Sequence, residues 1–296
     1  MINQILYTAC VTPFTKEGIH IDYTSLERLI RTQDRVGNGL VMFGSTGEGL
    51  SISFQEKKNI MEFICGLKLS TNIIVGVPNY NFTEALEWIS YCNEFPVNGY
   101  LMTTPVYTKP GILGQTKWFE GLLEHSKFPA MIYNIPSRSA VRLHPETVKN
   151  LASHPRFVAI KDSGGSVDSM IDYQIVAPNI AMYCGDDYLM TAMASEGAVG
   201  LVSIASNAWP DAMRYYVMES LDGNLKSDSN KIWWKAFRAF HKASNPIPIK
   251  ALLKKIGLIE NDTVRIPLCR EDLKSIEELF FYHEVVTDLV EDSKVA

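Results

Sequence analysis

Short apolar runs recur through the first two thirds of this 296-residue chain, and stretches with helical spacing separate them. Strands whose residues are apolar throughout, rather than alternately, are buried on both faces, as in a parallel sheet covered by helices. The pattern therefore predicts an α/β fold, a (β/α)8 TIM barrel, which needs about 250 residues. The predicted strands are 6–14, 40–44, 73–77, 100–105, 131–134, 157–160, 181–184 and 198–204.

An open, doubly wound sheet would give the same alternation of strands and helices. Such sheets normally carry a glycine-rich turn after the first strand, and residues 11–18, VTPFTKEG, are not such a turn. The barrel is therefore favoured over the open sheet. From about Asn224 the pattern is helical without strands, so we predict a barrel domain over residues 1–223 and a C-terminal helical segment over residues 224–296.

Composition excludes several classes of protein. The net charge of −5 is spread along the chain, so no basic stripe favours nucleic-acid binding. No apolar run reaches the roughly 18 residues of a membrane span, and residues 1–6 lack the pattern of a signal peptide. The five cysteines show neither disulfide-framework nor zinc-ligand spacing. We expect a cytoplasmic protein without a metal site.

Polar residues at the ends of predicted strands mark a candidate site, because TIM-barrel enzymes work at the carboxyl ends of their strands. Lys161 ends the sixth run and Tyr133 lies in the fifth, so neighbouring strands would bring the phenol close to the amine. Ser45 and Thr46 follow the second run, and Tyr107 follows the fourth. A lysine becomes nucleophilic when burial disfavours its charged form. Taken singly, a lysine at a strand end is usually solvated, a tyrosine in a strand is more often a core residue, and a glycine-rich stretch is most often a turn.

Together these residues resemble those of the dihydrodipicolinate synthase and N-acetylneuraminate lyase family of pyruvate-dependent lyases and aldolases. The resemblance covers nearly the whole chain and supports the barrel independently of the apolar pattern. The motifs that carry it are GSTGE at 44–48, YNIPSR at 133–138, IKDSGG at 160–165, GDD at 185–187 and NPIPIKALLKKIGL at 245–258.

The resemblance implies a role for each candidate residue. Lys161 would form the Schiff base with pyruvate, and Tyr133 would transfer protons during imine formation. Ser45 and Tyr107 would complete a hydroxyl relay, with Tyr107 reaching into a partner's site, because family members are commonly homotetramers built from tight dimers. The implied substrate-binding groups are Thr46 and the backbone near Val202 for the pyruvate carboxylate, and Arg138 for the carboxylate of the second substrate. No cofactor is implied.

Arg138 also bears on the choice of substrate. By resemblance, the synthases carry an arginine at this place and the sialic-acid lyases a small or apolar residue, although Ser45 is the lyase-like spelling of its motif. We therefore expect condensation of pyruvate with L-aspartate 4-semialdehyde to 4-hydroxy-tetrahydrodipicolinate, a step of lysine and diaminopimelate biosynthesis. The alternatives are N-acetylneuraminate lyase, another class I pyruvate aldolase, and a non-catalytic barrel scaffold. A scaffold would be expected to lose Lys161, Tyr133, Ser45 or Tyr107, and all four are present.

The resemblance also bears on feedback inhibition by lysine. In regulated family members the inhibitor binds at the tight-dimer interface, and the glutamate expected there is present as Glu84. A tyrosine expected to bind the inhibitor's carboxylate is Val106, whose isopropyl group cannot donate a hydrogen bond. We therefore expect weak or absent inhibition, unless Lys57 supplies a replacement charge. This sequence departs from the regulated members at three other positions of the inhibitor site. Tyr80 stands where an asparagine is expected, although Asn79 and Asn81 flank it. Phe54 and Lys57 stand where histidines are expected.

Overall fold

The computed structural model of the chain describes residues 2–78 and 80–295, and it contains a closed barrel of eight parallel strands in sequential order. The TIM-barrel prediction is therefore confirmed. The strands are β1 Leu6–Ala9, β2 Gly39–Met42, β3 Ile73–Val77, β4 Gly99–Thr103, β5 Ala130–Asn134, β6 Phe157–Asp162, β7 Ala181–Cys184 and β8 Gly200–Ser203.

Helices follow the strands around the outside of the barrel, and further helices follow the last strand. The helices are α1 Tyr23–Val36, α2 Phe54–Gly66, α3 Phe82–Cys92, α4 Ile112–His125, α5 Pro136–Ser139, α6 Pro145–Leu151, α7 Asp168–Val176, α8 Met190–Ser195, α9 Pro210–Leu221, α10 Ser227–Ala239, α11 Ile247–Lys255 and α12 Glu277–Val295.

Each predicted strand overlaps an observed one, but the first predicted run is too long. β1 ends at Ala9 instead of reaching Phe14. Beyond it the Val11 N–H donates to the side chain of Asn207, and Pro13 has no N–H to donate to a neighbouring strand. Apolar composition alone therefore overstates the length of this strand.

Strand parity sorts the barrel residues into two buried groups. One fills the barrel interior and includes Leu101, Met131, Tyr133, Ala159 and Val202. The other, larger group packs the outer faces of the strands against the helices. Because Lys161 is two residues beyond Ala159 on β6, its side chain belongs to the interior side of the sheet.

The C-terminal helices pack directly onto the barrel. The Trp209 indole donates to Nδ1 of His283 on α12 at 2.9 Å, and its ring meets Trp233 of α10 edge-on. α9 ends at Leu221, and α10 begins at Ser227. The division into residues 1–223 and 224–296 stays a prediction.

Within the described residues, no helix is both long and apolar enough to cross a membrane.

Candidate active site

The register of β5 and β6 places Tyr133 and Lys161 side by side. Lys161 is buried, with 5% of its surface exposed, and its Nζ lies 4.2 Å from the centroid of the Tyr133 ring. On the other side of Lys161, β7 brings Tyr183 into register. The sequence-predicted neighbourhood of amine and phenol is therefore present in the structure.

Asp162 points away from this amine, as expected for the next residue of a strand. Its carboxylate accepts hydrogen bonds from Asn134 at 2.6 Å, from the Gly164 N–H at 3.0 Å and from Ser169 at 2.5 Å. Burial raises the pKa of Asp162, and these bonds oppose the rise. The carboxylate that adjoins Lys161 in sequence thus braces the loop after β6 instead of pairing with the amine.

A different carboxylate, Asp186, faces Lys161 from the loop after β7. Burial raises its pKa to about 6, and the charge of Lys161 is the largest influence against that rise. Gly185, just before it, lets the lysine chain pass: a Cβ there would lie 2.8 Å from Lys161 Cε and 2.1 Å from Ser163 Oγ. A glycine at this position therefore allows the buried lysine to extend.

Ser163 is a contact of Tyr133 that sequence reasoning missed. Its hydroxyl is buried and lies 3.5 Å from the Tyr133 hydroxyl, at the long limit of a hydrogen bond. Among the described residues, no hydrogen bond joins Ser45 to Tyr133. Strand parity contained the missing signal, because residues 161 and 163 point to the same side.

A cavity of about 490 Å³ lies at the carboxyl ends of the strands. Tyr133, Ser45 and Arg138 line this cavity. Lys161, Thr46 and Val202 do not line it: Lys161 lies beside Tyr133, and Val202 is buried inside the barrel. Tyr133 lines the cavity and contacts the buried Lys161, so it joins the cavity to the barrel interior.

Asn245, from the C-terminal segment, connects two of the predicted binding residues. Its Nδ2 donates to the Thr46 hydroxyl at 2.9 Å, and its carbonyl accepts from the Arg138 guanidinium at 3.1 Å. Asn245 Oδ1 and the Thr104 hydroxyl are buried without a hydrogen-bond partner in the described part of the chain, and both residues line the cavity. Buried polar atoms normally have partners, so this wall suits a polar ligand.

Tyr107 does not join this site within one chain. Its side chain is 90% exposed, and its backbone has a φ of 71°, in the left-handed region. It is not among the residues that line the cavity.

Among the described residues, no group of three His, Cys, Asp or Glu side chains has the arrangement of a metal site.

Comparison with known proteins gives the family. The model of the dihydrodipicolinate synthetase family matches residues 3–280. The chain belongs to this family. A curated family relative, the 4-hydroxy-tetrahydrodipicolinate synthase of Wolbachia pipientis subsp. Culex pipiens (strain wPip), is 55% identical over 280 residues, 94% of each chain.

Solved structures of the family agree. The 4-hydroxy-tetrahydrodipicolinate synthase of Methylacidiphilum fumariolicum SolV has a TM-score of 0.91 at 29% identity and covers 98% of both chains. The chloride-inhibited dihydrodipicolinate synthase of Acinetobacter baumannii, solved with pyruvate, has a TM-score of 0.87 at 27% identity. That match covers 95% of this chain and 99% of the other. The resemblance drawn from the motifs is confirmed.

Proposed function

We propose that this chain condenses pyruvate with L-aspartate 4-semialdehyde to give 4-hydroxy-tetrahydrodipicolinate, a lyase reaction of lysine and diaminopimelate biosynthesis. The observation that carries the proposal is the buried Lys161 amine beside the Tyr133 phenol, below a cavity that carries Arg138 at its wall. The shared name of the curated relative and the solved structures supports the same reaction.

The chemistry begins with attack of the neutral Lys161 amine on the ketone carbon of pyruvate. Water leaves as the imine forms, and the imine then loses a proton from the methyl carbon to give an enamine. That carbon forms the new bond to the aldehyde carbon of the second substrate. The amine of the second substrate next displaces Lys161 and closes the ring. Each proton transfer needs a group that can both donate and accept, which a phenol can do.

The neighbouring groups have corresponding roles. Tyr133 passes protons to and from the developing carbinolamine, and Ser45 and a partner's Tyr107 connect it to solvent. Thr46, with the backbone near Val202, binds the pyruvate carboxylate. The planar guanidinium of Arg138, already aligned by the Asn245 carbonyl, binds the carboxylate of the semialdehyde.

The test is a coupled assay with pyruvate and aspartate semialdehyde, run beside an assay with N-acetylneuraminate. We expect turnover in the first only, and borohydride with pyruvate should add one reduced adduct per chain at Lys161. Turnover of N-acetylneuraminate alone would assign the chain to the lyase branch. An adduct at Lys250, or no adduct, would contradict the Schiff base at Lys161.

We further propose that the chain works as a homotetramer of tight dimers. Large apolar side chains stay exposed on the loops after three neighbouring strands and at the start of α3, which suits a protein interface. They are Leu50, Tyr80, Phe82 and Tyr107. A cytoplasmic location is also proposed, since all five cysteines are free thiols, as is usual in a reducing compartment.

Mixing two inactive variants tests the role of Tyr107 in the assembly. In a dimer of Lys161→Ala with Tyr107→Phe chains, the site with intact Lys161 receives an intact tyrosine only if Tyr107 acts across the interface. We expect activity to reappear after the mixed chains are dissociated and reassembled. A mixture that stays inactive would place Tyr107 in its own chain's site or outside the relay. Light scattering measures the mass of the assembly in parallel.

A further inference from the structure

A buried ion pair joins the C-terminal segment to the loop that carries Ser45 and Thr46. Lys250, on α11, donates to the carboxylate of Glu48 in this loop, and neither side chain is exposed by more than 1%. The Lys250 amine also donates to the Thr263 carbonyl at 2.9 Å. The other carboxylate oxygen of Glu48 accepts from the Arg265 N–H at 2.8 Å. Glu48 is therefore held from two directions.

Arg265 extends this connection to the end of the same loop. Its guanidinium donates to the Ser51 carbonyl at 3.0 Å and forms two bonds to Glu56, of 2.9 and 2.6 Å. It also donates to the carbonyls of Gly18 and Ile19, both at 2.9 Å. Planar, two-pronged pairing of this kind sets direction as well as distance. The C-terminal segment thus contacts the loop after β2 both in its middle and where α2 begins.

The loop backbone needs such support. Phe43 and Glu48 both have left-handed φ values, 58° and 52°, which residues other than glycine rarely adopt. The turn is also tightly packed, because a Cβ at Gly49 would lie 2.1 Å from the Phe43 carbonyl oxygen. Ser45 and Thr46 lie in this strained turn, between Phe43 and Glu48. A small change in its backbone would move both hydroxyls together.

We propose that Glu48 and Lys250 are a positioning pair for pyruvate, and this rests on the proposed function. Glu48 lines the cavity, but both oxygens of its carboxylate are bonded within the protein, to the Lys250 amine and to the Arg265 N–H, so we assign it no contact with substrate. Their contact locks the left-handed turn at Glu48, and the locked turn holds Thr46 where it binds the pyruvate carboxylate and Ser45 where it serves the proton relay. Arg138 lies on a separate element, α5, and contacts the C-terminal segment through the backbone carbonyl of Asn245. We therefore expect the pair to act mainly on imine formation and less on the semialdehyde subsite.

The rival explanation is that the pair only stabilises the fold, and a set of three variants separates the two. Glu48→Gln and Lys250→Met each leave one buried group without its partner, whereas the double variant leaves no unpaired charge. For the single variants we expect a lower Tm and a pyruvate KM raised at least tenfold, with slower borohydride trapping at low pyruvate. The semialdehyde KM should change less than threefold.

The double variant carries the test even if a single variant does not fold. We expect it to recover most of the lost Tm but to keep the raised pyruvate KM, since the turn has lost its lock. Recovery of both Tm and pyruvate KM would overturn the proposal, as would single variants with a lower Tm and unchanged pyruvate KM.

Lys254→Met is the matched control, because Lys254 lies one turn further along α11 and pairs with Asp262 at 2.8 Å near the surface. Its pyruvate KM should stay within twofold of the wild-type value; an equal rise would also overturn the proposal. Failure of the proposed function has a different signature. In that case the unaltered protein itself forms no pyruvate adduct, whereas failure of the positioning pair leaves wild-type trapping intact and variant trapping unchanged.

Discussion

The amine of Lys161 lies over the ring of Tyr133, 4.2 Å from its centroid, because the two residues are register partners on adjacent strands. Both residues lie on strands that are hydrogen-bonded to each other, so no loop conformation sets the distance between their side chains. The separation therefore depends on the barrel itself, the most rigid part of the fold, and sites built on regular elements keep their geometry better than sites built on loops.

Tyr133→Phe should slow formation of the pyruvate imine by about 100-fold or more, the usual size of a general acid–base contribution. The ring and its contact with Lys161 remain, so the Tm should change little. Rapid-quench trapping with borohydride measures the rate. Tyr183→Phe is the control, because Tyr183 is the register partner of Lys161 on the other side. Equal slowing in both variants would mean that packing, not proton transfer, is responsible.

Arg138→Ala should raise the KM for the semialdehyde by the equivalent of about 2 to 4 kcal/mol, because a charge-assisted pair to the substrate carboxylate is lost. The pyruvate adduct should still form at the wild-type rate. Steady-state kinetics with each substrate varied in turn gives both values. Arg142→Ala is the control, since Arg142 forms a half-exposed pair with Asp172 at 2.8 Å. Parallel loss of adduct and condensation would place Arg138 on pyruvate or in the fold instead.

Gly185→Ala should disturb the reactive lysine. The added Cβ would lie 2.8 Å from Lys161 Cε, so the lysine chain or the strand end has to shift. A displacement near 1 Å costs about 100-fold in rate at a catalytic group, and adduct formation should slow on that order. Gly66→Ala is the control, because a Cβ there meets no atom within 4 Å. An unchanged rate in Gly185→Ala would show that the added methyl group is accommodated without displacing the Lys161 amine.

The raised pKa of Asp186 predicts a pH dependence of stability. Burial raises the pKa of Asp186 in the folded state to about 6, whereas an aspartate in the unfolded chain keeps its ordinary pKa of 3.8. The contribution is therefore fully present below about pH 4 and is lost as pH rises through 6, a fall of at most about 3 kcal/mol. Asp186→Asn should flatten this part of the curve, measured by urea unfolding between pH 4 and 7.

Burial also raises the pKa of Asp162 and of Asp187, so the difference between the Asp186→Asn and wild-type curves is the informative quantity. Asp228→Asn, at a side chain that is 93% exposed, should leave the wild-type slope in place. If Asp186→Asn retained the wild-type slope as well, the proton would have to be assigned to another group.

Free L-lysine should inhibit weakly or not at all. Val106 lines the cavity without a donor, and Lys57 is buried near Glu84, whose charge opposes the lowering of the Lys57 pKa by burial. Glu84 thus already faces a resident cation, which competes with the amine of a bound lysine. Asn79, which flanks Tyr80, lies outside the described residues. Titration of the condensation rate decides: half-inhibition below about 1 mM would need roughly 4 kcal/mol of binding and would contradict the prediction. Lys57→His is the variant expected to strengthen inhibition.

The sequence by itself indicated buried parallel strands and favoured the barrel, which the motifs supported, and within a barrel it predicted that Tyr133 lies near Lys161. The strands and the faces of their side chains follow from local rules: continuous apolar runs indicate buried parallel strands, and strand parity sets which side chains share a face. The same rules placed Asp162 outward, and they would have placed Ser163 beside the phenol had they been applied two residues further.

Only the tertiary structure decided which distant groups meet. Glu48 and Lys250 are 202 residues apart, and Thr46 and Asn245 are 199 apart. In the sequence, Glu48 is one more polar residue of a turn and Lys250 one more lysine of a helix. Whether such a residue is solvated or buried in a pair depends on how the C-terminal segment packs over the barrel mouth, and no local periodicity encodes that packing.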